Sequence, residues 1–296
     1  MNKNDFLNQY FISRNKLLKI ILVSLISIFI ISTFLSNFKN NEVIIGKIKI
    51  EGLIKDKFQL LEEIKKIEDN KNIQGLLVIV NSPGGTFVSS KEIFNAIDKI
   101  SNNIPTAVYM REVATSGAYL ASLGANQIFL NEATITGSVG VILQTVEFTD
   151  LFKMVGINPL VVKSGELKAV PNPLEKINDE KLEYINDIIG QMQKEFLRIV
   201  KEKRNITEET VQMISDGRIF TGLIAKSLNL VDEVGVEDDA ITWIKKKGNL
   251  DDNVKVIDFD GEENIFKFLN LKIIEKIKKL ELSLNDGILA VWVPGL

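Results

Sequence analysis

Short apolar runs alternate with helix-like patterns from residue 43 onward, and this alternation is the main structural signal of the chain. Runs rich in β-branched and aliphatic residues predict strands at 43–50, 76–80, 106–110, 127–130, 139–143 and 160–162. Apolar residues at helical spacing predict helices at 58–67, 88–100, 116–123 and 149–155. Strands that alternate with helices indicate an α/β architecture with mainly parallel strands and right-handed crossovers.

The pattern becomes mostly helical after Pro173. Helices are predicted at 179–203 and 207–215, followed by the turn Asp216-Gly217, and we interpret this part as a helical extension of one domain at 43–260. The last part, 261–296, contains an amphipathic helix at 262–280 and an apolar tail at 288–296 that is too short to cross a membrane. The helix could dock on the core, on a neighbouring subunit or on a membrane surface, and docking on protein is favoured.

Residues 20–38 carry no charge, and as a helix they would reach roughly 28 Å, about one hydrocarbon core. Arg14, Lys16 and Lys19 precede this stretch, so the positive-inside rule predicts that 1–19 are cytoplasmic and the domain lies across the membrane. A cleaved signal peptide is the alternative, but the stretch is long for one and no A-x-A site follows it. An uncleaved single-pass anchor is therefore the preferred interpretation.

Composition excludes several classes of function. A net charge of −3 and a longest basic run of three lysines at 245–247 do not favour nucleic-acid binding. The chain has no cysteine and no histidine, which rules out disulfides, thiol nucleophiles and a histidine base. A metal site would have to consist of carboxylates alone, and we expect neither a metal nor a cofactor.

Two glycines and a serine are the first candidates for chemistry. Gly84 and Gly85 follow the predicted strand 76–80, where their N–H groups could face a developing oxyanion, although a plain turn is the alternative. Ser116 lies among small residues after another predicted strand, so it could be a nucleophile, or only the N-cap of a helix.

A serine nucleophile needs a base, and without histidine the base must be a carboxylate or a lysine. Burial among apolar residues disfavours a charged lysine and so favours its action as a base. Lys168, next to Leu167 and Ala169, has the most apolar neighbours in sequence of any lysine beyond the predicted anchor, whereas Lys163 follows a predicted strand and is expected to be less enclosed.

Six segments in this order resemble the signal peptide peptidase A family of membrane-bound serine proteases: 80–85, 114–119, 136–141, 163–165, 216–222 and 230–235. The resemblance implies a ClpP/crotonase-like spiral of β-β-α units. It implies Ser116 as nucleophile, Lys168 as general base and Ser138 as the hydroxyl that orients the lysine. It also implies oxyanion donors around Gly84, Gly85 and Gly117, peptide substrates, and assembly into homo-oligomeric rings or domes.

The leading hypothesis is a membrane-anchored serine endopeptidase that cleaves apolar unfolded peptides, such as remnant signal peptides, on the extracytoplasmic side of a bacterial inner or plasma membrane. Residues 169–173, AVPNP, depart from the family pattern of an aspartate and a Gly/Ser-Pro turn. This departure favours one alternative, an inactive homologue that acts as a membrane scaffold. The other alternative is a crotonase-type acyl-CoA enzyme, since the same fold binds thioester carbonyls.

Overall fold

The computed structural model describes residues 22–29, 31, 42–56, 58–259 and 289–291, which fall into two units divided after Val43. In the first unit, residues 22–29 and 31 are helical and exposed. Within the described part of the chain, no helix is long and apolar enough to span a membrane. Most of the predicted anchor at 20–38, and all of the predicted helix at 262–280, lie outside the described residues.

The second unit contains strands and helices in alternation. The strands are β1 (Ile44–Glu51), β2 (Ile73–Ser82), β3 (Gly84–Thr86), β4 (Thr106–Thr115), β5 (Gln127–Leu130), β6 (Ile135–Gly137), β7 (Ile219–Thr221), β8 (Glu233–Val234), β9 (Lys255–Asp258) and β10 (Leu289–Val291). The helices are α1 (Phe58–Asp69), α2 (Phe87–Ser101), α3 (Gly117–Ser122), α4 (Thr149–Met154), α5 (Asp179–Lys203), α6 (Glu208–Ile214), α7 (Gly222–Ser227) and α8 (Glu237–Lys247).

A mainly parallel sheet in the order β7-β6-β4-β2-β1-β9 forms the centre of this unit. The first residues of β4 also pair with β5, which pairs with β8, and only β7 runs antiparallel to its neighbour among these described strands. The central strand β2 is buried along nearly its whole length, as expected for a parallel strand covered on both faces. The predicted α/β architecture with mainly parallel strands is therefore confirmed.

Two apolar clusters cover the two faces of the sheet. The larger one joins alternate residues of β1 and β2 to α1, α2, α3 and α5, with Phe196 of α5 fully buried. The smaller one joins the opposite faces of the strands, including Ile45 and Leu77, to Ala240 and Ile244 of α8. The sheet is thus enclosed, and the carboxyl ends of its strands have fixed positions.

Helix α5 begins where the sequence predicts, because Asn178 caps it. The Asn178 side chain accepts a hydrogen bond from the Lys181 N–H at 2.9 Å, and Asp179 and Glu180 follow in the first turn, where negative charge is favourable.

Two predicted strands, at 139–143 and 160–162, are wrong. Neither run forms a strand in the structure. An apolar run becomes a strand only when a neighbour supplies hydrogen bonds and an apolar surface to cover it. Leu160 and Val162 instead have 87% and 88% of their surface exposed. The segment 141–178 carries only the short helix α4, and it leaves the sheet before returning through α5.

Candidate active site

The glycine turn after β2 is built so that only glycine fits at Gly85. Strand β3 lies against Ile54, whose N–H donates to the Gly84 carbonyl at 2.8 Å and whose carbonyl accepts from the Thr86 N–H at 2.7 Å. A Cβ atom at Gly85 would lie 1.8 Å from the Ile54 carbonyl oxygen. Gly84 has a φ of 104°, a conformation that favours glycine. The predicted Gly-Gly turn therefore allows close backbone approach.

The amide groups of this turn have different partners. The Gly84 N–H donates to the Ser82 hydroxyl oxygen at 3.1 Å, so it is occupied within the turn. Gly117 is the first residue of α3, where N–H groups lack an acceptor within the helix. The N–H group of Gly117 is accordingly better placed than that of Gly84 to meet a carbonyl oxygen, whereas Gly85 is paired with Ala290 in the strand ladder.

Ser116 stands at the junction of β4 and α3 in a strained conformation. Its φ of 52° and ψ of −118° are unusual for a residue with a side chain and cost roughly 1–3 kcal/mol. The Ser116 N–H donates to the Gly137 carbonyl at 2.7 Å, and this bond to β6 holds the turn.

The hydroxyl of Ser116 does not cap α3. Ser116 occupies the N-cap position of α3, but its hydroxyl makes no capping hydrogen bond and instead donates to the Gly140 carbonyl at 3.3 Å. The residue is 0% exposed. A strained, buried serine whose side chain has no structural role in its own helix is a functional candidate.

The serine turn and the glycine turn lie side by side. Ser82 of β2 pairs with Ala114 of β4, and the Thr115 hydroxyl donates to the Pro83 carbonyl at 3.1 Å. The Val113 N–H donates to Asn81 Oδ1 at 3.3 Å. The carboxyl ends of two neighbouring parallel strands thus bring the candidate nucleophile beside the candidate oxyanion donors.

Ser138 directly follows β6, the next strand of the sheet. Its φ is 53°, it is buried, and its N–H donates to the Arg218 carbonyl at 2.9 Å. Among the residues that the structure describes, its hydroxyl has no hydrogen-bond partner. Gln193 of α5 donates to the Val139 carbonyl at 2.9 Å and fixes this loop from the other side. Gln193 carries no sequence signal of a role here, because it is one polar residue of an amphipathic helix.

Lys168 is exposed, contrary to the enclosed setting expected from its apolar neighbours. Those neighbours belong to an irregular turn that does not pack them over the lysine. The Lys168 N–H donates to the Gly165 carbonyl at 3.1 Å, and Ala169 has a φ of 61°. No hydrogen bond joins its side chain to Ser116, to Ser138 or to any other residue in the described ranges.

Lys163 is the more enclosed lysine, so the expectation for this residue is also wrong. Only 11% of its side chain is exposed, and its Nζ lies 2.7 Å from Glu175 Oε2. The hydrogen bond to Glu175 raises the pKa of Lys163, and the bonds from Lys163 and Lys181 lower the pKa of Glu175. Lys163 therefore stays protonated and is unsuited to act as a base.

A second segment of the chain lies along β3. Strand β10 pairs antiparallel with it, with Leu289 opposite Thr86, Ala290 opposite Gly85 and Val291 opposite Gly84. Helix α3 also packs against β3. An extended backbone thus runs beside the glycine turn and close to the serine turn. The apolar tail at 288–296 gives no sequence signal for this pairing.

The described residues contain no group of acidic side chains that could hold a metal ion. A serine at a strained strand-to-helix turn, beside glycines that admit an extended chain, is typical of serine peptidases with a ClpP-like α/β fold. The sequence profile of Clp protease matches residues 37–149. That of peptidase family S49 matches residues 98–251.

Proteins of similar sequence support the match to peptidase family S49. A protein of Enterococcus faecium that carries the name signal peptide peptidase SppA is 33% identical over 78% of this chain and 68% of its own length. A protein of Synechocystis sp. named as a protease is 31% identical over 84% of this chain and 95% of its own length. The chain belongs to peptidase family S49 and is a serine peptidase, which confirms the resemblance to signal peptide peptidase A.

Solved structures give weaker likenesses. The 1510-N membrane-bound stomatin-specific protease is 14% identical with a TM-score of 0.47, over 75% of this chain and 99% of that one. A ClpP1 variant from Listeria monocytogenes is 17% identical with a TM-score of 0.44, over 66% of this chain and 94% of that one.

Proposed function

We propose that this serine peptidase is an endopeptidase in which Ser116 and Lys168 form the catalytic pair, and that it cleaves apolar, unfolded peptides such as remnant signal peptides. The observation that carries the proposal is the antiparallel pairing of β10 with β3. Peptide substrates bind to a free strand edge through the same main-chain hydrogen bonds. A chain held in this way places its carbonyl groups beside Gly85 and Ser116. An acyl-CoA thioester offers no such strand, so this pairing favours a peptidase over a crotonase-type enzyme.

The proposed chemistry has two stages. In the first, the amine of Lys168 acts as general base and takes the Ser116 proton as the serine oxygen attacks the peptide carbonyl carbon. The N–H groups of Gly85 and Gly117 stabilise the oxyanion, and the lysine passes its proton to the departing amine as the peptide C–N bond breaks. In the second, a water molecule loses a proton to the same lysine as it attacks the acyl carbon, and the lysine returns this proton to the Ser116 oxygen as the acyl–oxygen bond breaks and the acid product leaves. Ser138 is proposed to orient the lysine in both stages.

The proposed location follows from the N-terminal sequence. The uncharged stretch at 20–38, with basic residues before it, supports a single-pass anchor with the peptidase domain on the extracytoplasmic side. Such an anchor would hold the site close to the bilayer, where apolar peptides partition. The substrate class and the anchor thus support each other.

The test uses the full chain in detergent with an apolar fluorogenic peptide. Ser116→Ala and Lys168→Ala are each expected to lower kcat by roughly 10³-fold or more. Two matched controls should retain activity. Ser122→Ala removes a buried hydroxyl in α3 that only donates to the Ala118 carbonyl, and Lys176→Ala removes a lysine of the same segment that pairs with Asp150. Wild-type activity in either site variant contradicts the proposed pair.

The exposed position of Lys168 favours one second candidate, an inactive scaffold. A fluorophosphonate reacts only with a serine whose hydroxyl is activated by a base, so it separates the two candidates. Labelling of the wild type that disappears in Ser116→Ala supports the peptidase. An unlabelled wild type, with a known serine protease labelled in parallel, supports the scaffold.

We also propose that the protein works as a homo-oligomer in which Lys168 of one copy completes the Ser116 site of its neighbour. Met154, Leu160 and Val162 are more than four-fifths exposed on the segment that carries this lysine, and such apolar surface favours a protein contact. Mixing the inactive Ser116→Ala and Lys168→Ala variants tests this idea. Partial recovery of activity supports a site shared between copies, and no recovery after confirmed subunit exchange contradicts it.

A further inference from the structure

The turn that carries Lys168 is closed at its base by three charged side chains. Glu175 Oε2 lies 2.7 Å from Lys163 Nζ and 3.3 Å from Lys181 Nζ. Lys163 precedes the turn, Glu175 follows it, and Lys181 belongs to the first turn of α5. One carboxylate therefore joins both ends of the turn to the helix that returns to the core. We refer to these three residues as the Glu175 clasp.

The clasp is enclosed, although the turn it closes is exposed. The side chains of Lys163, Glu175 and Lys181 are 11%, 19% and 13% exposed. An enclosed ion pair gains little net stability, because desolvation offsets the attraction. Removing one partner leaves an uncompensated charge, so such a pair fixes geometry more than it stabilises the fold. Glu166, the other charged group that acts on Lys163, is exposed and adds to the negative charge around it.

Few other backbone hydrogen bonds hold the turn. Within it, the Lys168 N–H donates to the Gly165 carbonyl and the Glu175 N–H donates to the Asn172 carbonyl at 3.1 Å each. In the described part of the chain, the backbone bond that connects 164–174 to another element runs from the Phe148 N–H to the Pro173 carbonyl, at 2.9 Å. A shift at the base of the turn would therefore move Lys168.

We infer that Glu175 is a positioning residue for Lys168, and that it acts by closing the turn through Lys163 and Lys181. The inference rests on the proposed function, in which Lys168 is the general base. General-base catalysis requires the base within hydrogen-bond reach of the serine, and a misplacement of about 1 Å can cost up to 10²-fold in rate. Glu175 touches neither the substrate nor the serine, so its effect appears in kcat and not in substrate binding.

The experiment measures kcat and KM of the full chain in detergent. Glu175→Gln and Lys163→Met should each lower kcat roughly tenfold and leave KM within about twofold. Lys163→Arg keeps the charge and the reach, so it should retain most of the wild-type kcat. The rate of fluorophosphonate labelling at Ser116 should fall in parallel with kcat. Glu175→Gln leaves two enclosed lysines without their partner and should lower the unfolding temperature, so kcat is measured well below the unfolding transition of each variant.

The matched control is Glu195→Gln. Glu195 lies on α5, the helix that carries Lys181, and also accepts hydrogen bonds from two cations, Lys91 at 2.5 Å and Arg198 at 2.7 Å, but it is not part of the turn. This variant should keep the wild-type kcat. Wild-type kcat in Glu175→Gln, or an equal loss in Glu195→Gln, overturns the inference while an inactive Lys168→Ala leaves the proposed function in place. A fully active Lys168→Ala overturns the proposed function instead.

Discussion

The two halves of the proposed catalytic pair lie in regions of opposite character. Ser116 is at the end of a buried parallel strand, held by a backbone bond to β6 and by the neighbouring turn of β2. Lys168 is in an exposed turn of the segment 141–178, which has no strand and only one short helix. The sheet fixes the nucleophile with many cooperative bonds, whereas a few ionic and backbone contacts hold the base.

Because of this difference, we expect mutations in the two regions to have different effects on the stability of the fold and on the catalytic rate. Changes near Ser116 should disturb both the fold and the rate, because the same strands form the core and the site. Changes in the turn around Lys168 should alter the rate and leave the fold intact.

The largest contrast in stability is expected between two truncations of aliphatic side chains. Ile48→Ala in β1 removes a fully buried side chain and should cost about 2–5 kcal/mol of unfolding free energy. Leu160→Ala, at an 87% exposed position, should change it by less than about 0.5 kcal/mol. Denaturant unfolding of both variants measures the difference. Similar losses would show that 141–178 is part of the same cooperative core.

The next effect is expected at Gly85. Gly85→Ala would drive its Cβ into the Ile54 carbonyl, so β3 must shift, at a cost of about 1–3 kcal/mol and most of the activity. Gly190→Ala is the control, because nothing lies within 4 Å of the new Cβ in helix α5. It should stabilise the protein by up to about 1 kcal/mol and keep its activity. Chemical denaturation and peptide hydrolysis together report both effects, and a fully active Gly85→Ala would contradict the role of β3.

A smaller effect is expected where the serine and glycine turns are joined. Thr115→Val keeps the shape and removes the hydroxyl bond to the Pro83 carbonyl, which should cost about 1 kcal/mol of stability. The rate of peptide hydrolysis should fall several-fold, since the serine turn and the glycine turn lose the hydrogen bond between them. Thr207→Val, which removes a cap of α6 far from the site in sequence, should cost similar stability without loss of rate. Equal rates of peptide hydrolysis in Thr115→Val and Thr207→Val would show that this hydrogen bond has no role in the site.

The smallest effect concerns acid pH and the Glu175 clasp. The pKa of Glu175 is lowered in the folded chain, so its contribution is fully present above its ordinary value of 4.5 and is lost as the pH falls through the lowered value. The turn at 163–175 should therefore exchange its amide hydrogens faster below about pH 4.5, relative to the intrinsic rate, while β2 stays protected. Unchanged protection of the turn across this range would contradict the role of the clasp.

Strands β1, β2, β4 and β5 and helices α1 to α6 could be predicted from the sequence, because buried parallel strands require continuous apolar runs and covering helices require periodic ones. The short strands β6 to β9 and the helices α7 and α8 are not among the predicted elements. The runs at 139–143 and 160–162 are as apolar as the runs that form strands, but no neighbouring strand pairs with them. The local sequence of a run does not indicate whether a neighbouring strand lies beside it in the fold. Strand β3 is the reverse case, since Gly84-Gly85-Thr86 has no strand propensity and is ordered by Ile54 and β10, far away in sequence.

The site was predictable to a similar degree. Ser116 and the two glycines follow apolar strands directly, so the ends of the strands locate them. The surroundings of Lys163 and Lys168 depend instead on where an irregular segment folds, and apolar neighbours in sequence do not make an apolar environment in space. The partnership of Glu175 with two lysines has no sequence signature, because charged residues are frequent on every helix of this chain.

The pairing of β10 with β3 has a consequence for how the protein responds to its surroundings. A strand of the same chain is a tethered ligand, and its effective concentration does not fall when the protein is diluted. Any peptide that uses β3 must displace this strand first. Whether a substrate occupies the β3 edge therefore depends on the local concentration of peptide near the site and not on its concentration in bulk solution. When peptides are scarce, β10 would remain paired with β3.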